Sequence, residues 1–436
     1  MKHELIRRLA QRVALAATLA LAAVALGAAT AQAVIVTNSA GHRLSLELAP
    51  GHTISAAHTK AAKGGGGGRP LSSKGVTDNG GPVMTSNTNY AIYWDPSGGS
   101  AFPAGYMSGI DRWFEDLAHD SGGVLNTDSL LVQYGANYSS HFGQAIVDTD
   151  AYPVSGCTAA VKCLTDAQLQ VELRTFLQAR GLPEDLEHMY FLITPKEVES
   201  CTDGESKSCS LGAKGGKYCA YHSYMELAGG GLIVYADIPY TAGLGCGDEQ
   251  NRPNGNPSDE ALAGGIVHEH SEGVTDPTLK AWHDSRENEV ADLCRGKGPT
   301  TEYGNELGKV NGSKYNQVIN GHFYWYQQIW SNETESCQQR KLEQPTIKKM
   351  KPKKGSTEGG TEVTITGTGF TPSAEVTFGG VKATHVTFES STSIIVTSPP
   401  HEVAEPVEVR VTTGGGTSPV TPKDLFKYKA PKAPKK

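Results

Sequence analysis

Apolar residues recur at helical and strand spacing across residues 75–340, in an order that predicts a mixed α/β or α+β domain. Short apolar runs predict buried strands at residues 89–94, 130–134, 190–194 and 231–236. Helical spacing predicts helices over residues 107–117, 165–181 and 258–272. The second helix has clear ends, because Thr165 and Gln168 form a capping box and Gly181 stops the helix.

The C-terminal segment follows a different pattern, with short β-branched runs separated by Gly, Pro and Ser. These runs predict strands at residues 362–366, 375–378, 393–397 and 407–411. Their close spacing is typical of a small, all-β sandwich that follows the main domain.

The segments outside these two domains have the composition of signals and linkers. Residues 1–33 have the layout of a secretory signal peptide, with basic residues, an apolar run and Ala31-Gln-Ala33 as a cleavage site. Residues 34–74 are predicted to be a spacer or pro-region, which includes the flexible glycine run 64–68. Residues 430–436 form a basic tail. We expect no membrane span in the mature chain.

Charge is distributed unevenly behind the net value of −7. Residues 34–340 carry 36 Asp and Glu against 21 Lys and Arg, about −15. An acidic main domain gives no reason to expect a nucleic-acid partner.

All eight cysteines lie in the main domain, and an exported chain is expected to pair them as disulfides. Eight cysteines allow 105 complete pairings. The short loop favours Cys157–Cys163, and a Cys294–Cys337 bridge would tie down the end of the domain. A zinc ribbon is disfavoured because the chain has no CxxC pair.

One segment, His268-Glu-His-Ser-Glu272, has the spacing of a metal-binding helix. His268 and Glu272 lie four residues apart and share a helix face, as the two histidines of an HExxH motif do. Glu269 is then the candidate general base, and Asp276 the candidate third ligand. The competitors for the third position are His283 and Asp284.

Two other interpretations of this segment stay open. The first is a helix end whose carboxylates are merely solvated. The second is a structural calcium site, because further acidic residues follow at 284, 287, 289 and 292. If the segment is a catalytic metal-binding helix, zinc is the expected cofactor. Calcium is the alternative cofactor.

Two resemblances add to these predictions. The segment 345–429, with Gly359-Gly360, Gly367-x-Gly369 and Phe378-Gly379-Gly380, resembles the IPT/TIG domain. This implies an immunoglobulin-like fold that serves as a spacer or a binding surface.

The main domain is similar to the phosphate-induced protein 1 (EXORDIUM-like) family. The similar residues are Gly80-Gly81-Pro82, Cys219-Ala-Tyr221, the segment 281–294 and the segment 310–337. The resemblance implies a secreted, wall-associated protein without an established catalytic activity. The plant members generally lack the His-Glu pair, and the order of strands and helices is similar to that of zincin peptidases.

The sequence therefore predicts a secreted, zincin-like zinc metallopeptidase with an IPT/TIG binding module, directed at an extracellular protein or a cell-wall polymer. The first alternative is a non-catalytic EXORDIUM-like binding or growth-response protein. The second alternative is a structural calcium-binding protein.

Overall fold

The structure is a computed structural model, and it describes residues 33–54, 75–123, 125–296, 302–341, 343–370, 374–390, 392–402, 405–413 and 416–430. The predicted signal peptide (except Ala33), the glycine run 64–68 and most of the basic tail lie outside these residues. Among the described residues no helix is long and apolar enough to cross a membrane.

The described part of the main domain contains four α-helices and seventeen strands. The helices are α1 (Tyr106–His119), α2 (Asp166–Arg180), α3 (Ser258–Ala261) and α4 (Val267–Thr275). The strands are β1 (Ala33–Thr37), β2 (Arg43–Leu48), β3 (Thr77–Asp78), β4 (Asn87–Trp94), β5 (Ser140–Asp148), β6 (Lys162–Thr165), β7 (His188–Ile193), β8 (Val198–Cys201), β9 (Tyr218–Glu226), β10 (Leu232–Ile238), β11 (Trp282–His283), β12 (Gly308–Val310), β13 (Ser313–Tyr315), β14 (Gln317–Ile319), β15 (His322–Tyr324), β16 (Ile329–Ser331) and β17 (Ser336–Gln338).

A mixed seven-stranded sheet in the order β1-β2-β9-β10-β7-β4-β5 forms the centre of the domain. The β10-β7, β7-β4 and β4-β5 pairs are parallel, whereas β1-β2, β2-β9 and β9-β10 are antiparallel. Side chains alternate between the two faces of the sheet. Phe191 of β7 joins the core that α1 and α4 cover, and Leu192 joins the core that α2 covers. Helices therefore cover both faces of the sheet, while the edge strand β5 keeps several exposed residues.

Most predicted elements are present, and one apolar run was assigned wrongly. The predicted strand at residues 130–134 is part of a 3₁₀-helix, Thr127–Tyr134. The side chain of Asn126 caps this helix by accepting the N–H of Asp128, and Gly135 ends it with φ 96°. A short apolar run fits either kind of element, and here the cap and the glycine favour the helical one.

The predicted helix over residues 258–272 is interrupted. A π-helical turn, Leu262–Ile266, separates α3 from α4, with non-helical dihedral angles at Gly264 and Gly265. These glycines let the helix pass close to the loop at Cys246 and then enter the core as α4.

Residues 33–48 form a hairpin that belongs to the central sheet, because β2 pairs with β9 along Ser45–His222 and its neighbours. This part of residues 34–74 is therefore not a free spacer. Its removal as a pro-region stays a prediction.

Four disulfides join Cys157–Cys163, Cys201–Cys209, Cys219–Cys246 and Cys294–Cys337. The two pairings that the sequence favoured are both present. Four disulfides are consistent with an oxidising, extracellular compartment.

The C-terminal domain is a β-sandwich, as predicted. Its strands are β18 (Thr346–Lys351), β19 (Lys354–Ser356), β20 (Glu362–Thr368), β21 (Glu375–Phe378), β22 (Val381–Lys382), β23 (His385–Ser390), β24 (Ser393–Thr397), β25 (Pro406–Thr413), β26 (Gly416–Thr417) and β27 (Leu425–Lys429). One sheet has the order β18-β20-β24-β23, and the other β19-β27-β25-β21-β22 with β26 beside β25. Alternate residues of β25, Val407, Val409 and Val411, point into the core between the sheets.

Candidate metal centre

Helix α4 places His268 and Glu272 on one face, one turn apart, in the interior of the main domain. His268 Nε2 lies 3.2 Å from Glu272 Oε2. Both side chains are about 1% exposed. The four-residue spacing therefore brings together the two groups that the sequence singled out.

Asp292 completes a group of three. It begins a short 3₁₀ turn, Asp292–Cys294, which the Cys294–Cys337 disulfide ties to β17. Asp292 Oδ1 lies 3.1 Å from His268 Nε2. One nitrogen and two carboxylate oxygens thus lie within 4.8 Å of one another.

Each of the three side chains is held in place through its other polar atom. Glu272 Oε1 accepts the N–H groups of Ala291 and Asp292, both at 3.1 Å. Asp292 Oδ2 accepts the N–H of Glu289 at 2.8 Å. The remaining oxygen of each carboxylate is left facing His268.

Gln327 fixes the tautomer of His268. The amide nitrogen of Gln327 donates to the carbonyl of Ala291, so its oxygen faces the imidazole, where Nδ1 lies 3.1 Å away. Nδ1 therefore carries the proton and donates it to this oxygen. Nε2 is consequently the ring nitrogen that faces the two carboxylate oxygens.

Three buried ligand atoms that face one another form a group that could hold a metal ion. His268 Nε2, Glu272 Oε2 and Asp292 Oδ1 make no hydrogen bond with any residue that the structure describes. A buried acceptor without a partner costs about 1–3 kcal/mol. One nitrogen and two oxygens at these distances suit zinc or manganese, and the histidine makes calcium a poorer match.

A second group adjoins the first. His222, in the centre of β9, lies with Nδ1 3.0 Å from Glu269 Oε2 and 3.9 Å from Glu272 Oε2. These three atoms also lie within 4.8 Å of one another. Glu272 therefore belongs to both groups.

Six buried carboxylates surround the two histidines, and we call them the carboxylate cluster. They are Glu47, Glu269, Glu272, Asp276, Glu289 and Asp292. Arg295 is a buried cation beside them, and its guanidinium lies 2.7 Å from Glu47 Oε1. Strand β2 contributes Glu47, and Ser45 of β2 donates to Glu289 Oε2 at 2.5 Å.

Burial and mutual repulsion shift the pKa values across this cluster. Burial, and then the nearby Asp292, raise the pKa of Glu272 to about 8. Burial raises the pKa of Glu269 well above its usual value. Burial, and then the nearby charge of Glu272, raise the pKa of Glu289 well above its usual value. These carboxyl groups cannot all be ionised together unless positive charge is bound among them.

The two histidines respond in opposite directions. Burial would lower the pKa of His268, but Glu272 and Glu47 outweigh it and hold that pKa well above its usual value. Burial lowers the pKa of His222 despite its acidic neighbours. The negative charges of the cluster therefore act more strongly on His268 than on His222.

The other predicted ligands lie outside the group of three. Asp276 ends α4, and its Oδ1 accepts the N–H groups of Lys280 and Ala281 at 2.5 and 2.6 Å. His283 lies in β11, with Nδ1 3.1 Å from the carbonyl of Asp284. Asp284 caps the following turn by accepting the N–H groups of Arg286 and Asn288. Asp292 thus takes the position that the sequence assigned to Asp276.

Sequence reasoning missed His222 and Glu47. His222 interrupts the largely apolar strand β9, whereas Glu47 lies in β2, in which polar and apolar residues alternate over Arg43-Leu-Ser-Leu-Glu-Leu48. A polar residue in the middle of a buried strand is the signal that could have identified them. The cysteine group 157, 163 and 201 is no metal site, because disulfides engage all three residues.

Comparison with known proteins identifies the C-terminal domain. Residues 345–428 match the IPT/TIG domain, so this segment is an IPT/TIG domain, as its glycine pattern suggested. No curated protein matches the chain.

Solved structures match only part of the chain. The plexin A4 extracellular region is 28% identical over 20% of this chain and 7% of its own length, with a TM-score of 0.17. The TIG domain of human nuclear factor of activated T-cells, cytoplasmic 4, is 22% identical over 20% of this chain and 85% of its own, with a TM-score of 0.15. SGBP-B from a xyloglucan utilization locus in Bacteroides uniformis is 19% identical over 26% of this chain and 28% of its own, with a TM-score of 0.18.

Proposed function

We propose that this protein is a secreted, metal-dependent hydrolase that cleaves peptide bonds and carries a C-terminal IPT/TIG binding module. The observation that carries the proposal is the convergence of three buried acceptor atoms without hydrogen-bond partners, on His268, Glu272 and Asp292. Zinc is the proposed cofactor, and Asp292 takes the place of Asp276 as the third ligand. The four disulfides support secretion.

Glu269 is the proposed general base. A cation bound at this centre polarises a carbonyl group and lowers the pKa of a water molecule. Glu269 Oε2 lies 3.0 Å from His222 Nδ1, whereas Oε1 has no hydrogen-bond partner among the described residues. This contact orients the carboxylate and leaves Oε1 to take the proton of a water molecule.

The position of the cluster beside β9 supports a peptide substrate. Helix α4 packs against β9, and β9 would be the edge of the sheet without the N-terminal hairpin. An extended peptide can add to such an edge through backbone hydrogen bonds. This arrangement agrees with a zincin-like domain, in which a strand beside the metal-bearing helix holds the substrate.

The N-terminal hairpin occupies that edge, and we propose that it is a pro-region. Strand β2 pairs antiparallel with β9, and its side chains Ser45 and Glu47 contact the cluster. The glycine run 64–68 connects the hairpin to the rest of the domain. Cleavage there, followed by release of the hairpin, would free the edge of β9 and expose the centre.

Complete burial favours a second candidate, a structural metal-binding protein. All six members of the carboxylate cluster are at most 4% exposed. A metal enclosed in this way would stabilise the fold without turnover. A non-catalytic, EXORDIUM-like binding protein is the third candidate, and the resemblance behind it includes Glu289, Asp292 and Cys294.

Metal analysis combined with proteolytic activation separates the candidates. The full chain is produced by secretion with a specific protease site in place of residues 64–68. Zinc content and hydrolysis of a quenched-fluorescence peptide library are measured before and after cleavage. We expect at least one zinc per chain, and turnover that appears after cleavage and release of the hairpin.

Variants assign the roles. Glu269→Gln should retain the zinc bound by His268, Glu272 and Asp292 and lose about 10²–10⁴-fold in rate, while Glu287→Gln, at a half-exposed position, should match the wild type. Asp292→Asn should weaken zinc binding, whereas Asp276→Asn should not. Bound zinc without turnover in any form would select the structural candidate. If the folded chain binds no metal and His268→Ala has no effect on it, the non-catalytic binding protein is the remaining candidate.

A further inference from the structure

We propose that the centre holds a second divalent cation, bound by His222, Glu269 and Glu272 next to the cation at His268, Glu272 and Asp292. This inference rests on the proposed metal site and extends it from one ion to two. Glu272 would bridge the pair.

The ligand spacing fits a cation. Two ligands about 2.1 Å from a zinc ion, at the tetrahedral angle, lie roughly 3.4 Å apart. The distances from His222 Nδ1 to Glu269 Oε2 and Glu272 Oε2 are 3.0 and 3.9 Å, on either side of that value. The three side chains are at most 1% exposed, so water does not supply alternative partners.

Glu272 is placed to bridge the two cations. Its Oε1 is committed to two backbone N–H groups, and its Oε2 has no hydrogen bond with a described residue. That one oxygen lies 3.2 Å from His268 Nε2 and 3.9 Å from His222 Nδ1. The two histidines come from different elements, α4 and β9, and both direct a ring nitrogen towards it.

The far side of His222 resembles the support of a metal-bound histidine. Its Nε2 faces Glu289 Oε1 at 3.7 Å, and the backbone carbonyl of Asp276 also lies against the ring. Glu289 is itself held by the hydroxyl of Ser45 at 2.5 Å. A carboxylate or carbonyl behind the ring fixes its orientation in most histidine-metal sites.

Charge balance favours two ions over one when all six carboxylates are ionised. The six carboxylates carry −6 when ionised, and Arg295 offsets one charge. A single divalent cation would leave about −3 in a dry interior, and a second would leave about −1. Two cations bridged by a carboxylate are typical of hydrolytic centres that activate water between them. In such a centre Glu269 would bind the second ion through Oε2 and keep Oε1 for the proton of the water molecule.

Metal titration of the full-length chain tests the inference. The protein is stripped with a chelator, reloaded with zinc, desalted and analysed for zinc per chain. We expect two equivalents for the wild type and one for His222→Gln. The matched control, His141→Gln at an exposed position, should keep two. Glu269→Gln should also fall to one.

Manganese gives a second measurement that needs no variant. Two Mn²⁺ ions that share a carboxylate oxygen are magnetically coupled, so the wild type loaded with manganese should show a coupled electron paramagnetic resonance spectrum. The second site would be overturned if the wild type bound one equivalent of metal, if His222→Gln kept that equivalent, and if the manganese-loaded protein gave the spectrum of an isolated ion. The proposed hydrolase would then remain intact. Absence of bound metal would overturn both.

Discussion

Gln327 controls the chemistry of His268 although it is not itself a candidate ligand. Its amide nitrogen donates to the carbonyls of Ala291 and Gln328, at 3.1 and 3.3 Å, which leaves the oxygen no alternative orientation. The proton on Nδ1 of His268 is therefore fixed, and Nε2 stays available as a ligand atom. Such supporting residues commonly contribute 10- to 100-fold to metal affinity.

Replacing Gln327 should weaken metal binding while the three ligands remain. We expect Gln327→Leu to raise the dissociation constant for zinc about 10- to 100-fold, because the imidazole loses its fixed tautomer. Competition with a chromophoric chelator measures the constant. Gln338→Leu, at a half-buried position in β17, is the control. An unchanged affinity in Gln327→Leu would mean that His268 does not bind the ion through Nε2.

Asp237 is a buried acid away from the candidate ligands. It lies in β10, accepts a hydrogen bond from Ser200, and its Oδ1 has no hydrogen-bond partner among the described residues. Burial raises its pKa to about 8, and Asp166 and Glu199 contribute in the same direction. The folded state therefore holds a proton that the unfolded chain releases near pH 4.

The sign of the resulting pH dependence follows from linkage. Between pH 4 and 8 the folded state binds more protons than the unfolded state, so this group lowers stability as pH rises. Asp237→Asn removes that dependence and should stabilise the protein by a few kcal/mol at pH 8. The gain should vanish near pH 4. Thermal unfolding at both values measures it, with the exposed Asp78→Asn as a control that shows no such trend.

At the scale of elements, the π-helical turn between α3 and α4 sets the position of α4, which carries His268 and Glu272. At Gly264 a Cβ atom would lie 2.6 Å from the backbone of Cys246 and of Gly247. Backbone atoms in a disulfide-tied loop cannot move aside easily, since Cys246 is bonded to Cys219. The close approach therefore requires glycine.

A methyl group at this position should displace the start of α4. We expect Gly264→Ala to destabilise the domain by about 1–3 kcal/mol through overpacking. Chemical denaturation measures the loss. Gly229→Ala is the control, because a Cβ there meets nothing within 4 Å. Equal stability of the two variants would show that the loop at Cys246 moves to accommodate the methyl group.

The elements that could be predicted are those whose signals are local. Thr165, Gln168 and Gly181 defined α2, and the four-residue spacing brought His268 and Glu272 together. Strand β2 was missed because its partner β9 lies far along the chain, so no local signal marks the pairing. Asp292 was not chosen as a ligand because a disulfide and a turn, not a helix period, bring it to α4.

At the scale of the whole molecule, the two domains have separate cores. The buried cluster of the IPT/TIG domain contains residues between 347 and 428 alone, and none of them joins the two cores of the main domain. The candidate metal centre and all four disulfides belong to the main domain. A ligand of that domain should therefore leave the stability of the other unchanged.

Calorimetry of the full chain should show this independence as two transitions. A metal present at about 1,000 times its dissociation constant stabilises the folded state by about 4 kcal/mol. For a domain of this size, removal by a chelator should lower the Tm of the main domain by about 10 °C. The Tm of the IPT/TIG transition should not move.

The isolated IPT/TIG segment provides the control that assigns the transitions. Residues 343–430, expressed alone, should unfold at the temperature of the transition that ignores the chelator. His268→Ala in the full chain should reproduce the effect of the chelator on the other transition and abolish any further response to it. If the chelator shifts neither transition of the wild type, the main domain holds no exchangeable metal, and the carboxylate cluster must be neutralised by protons instead.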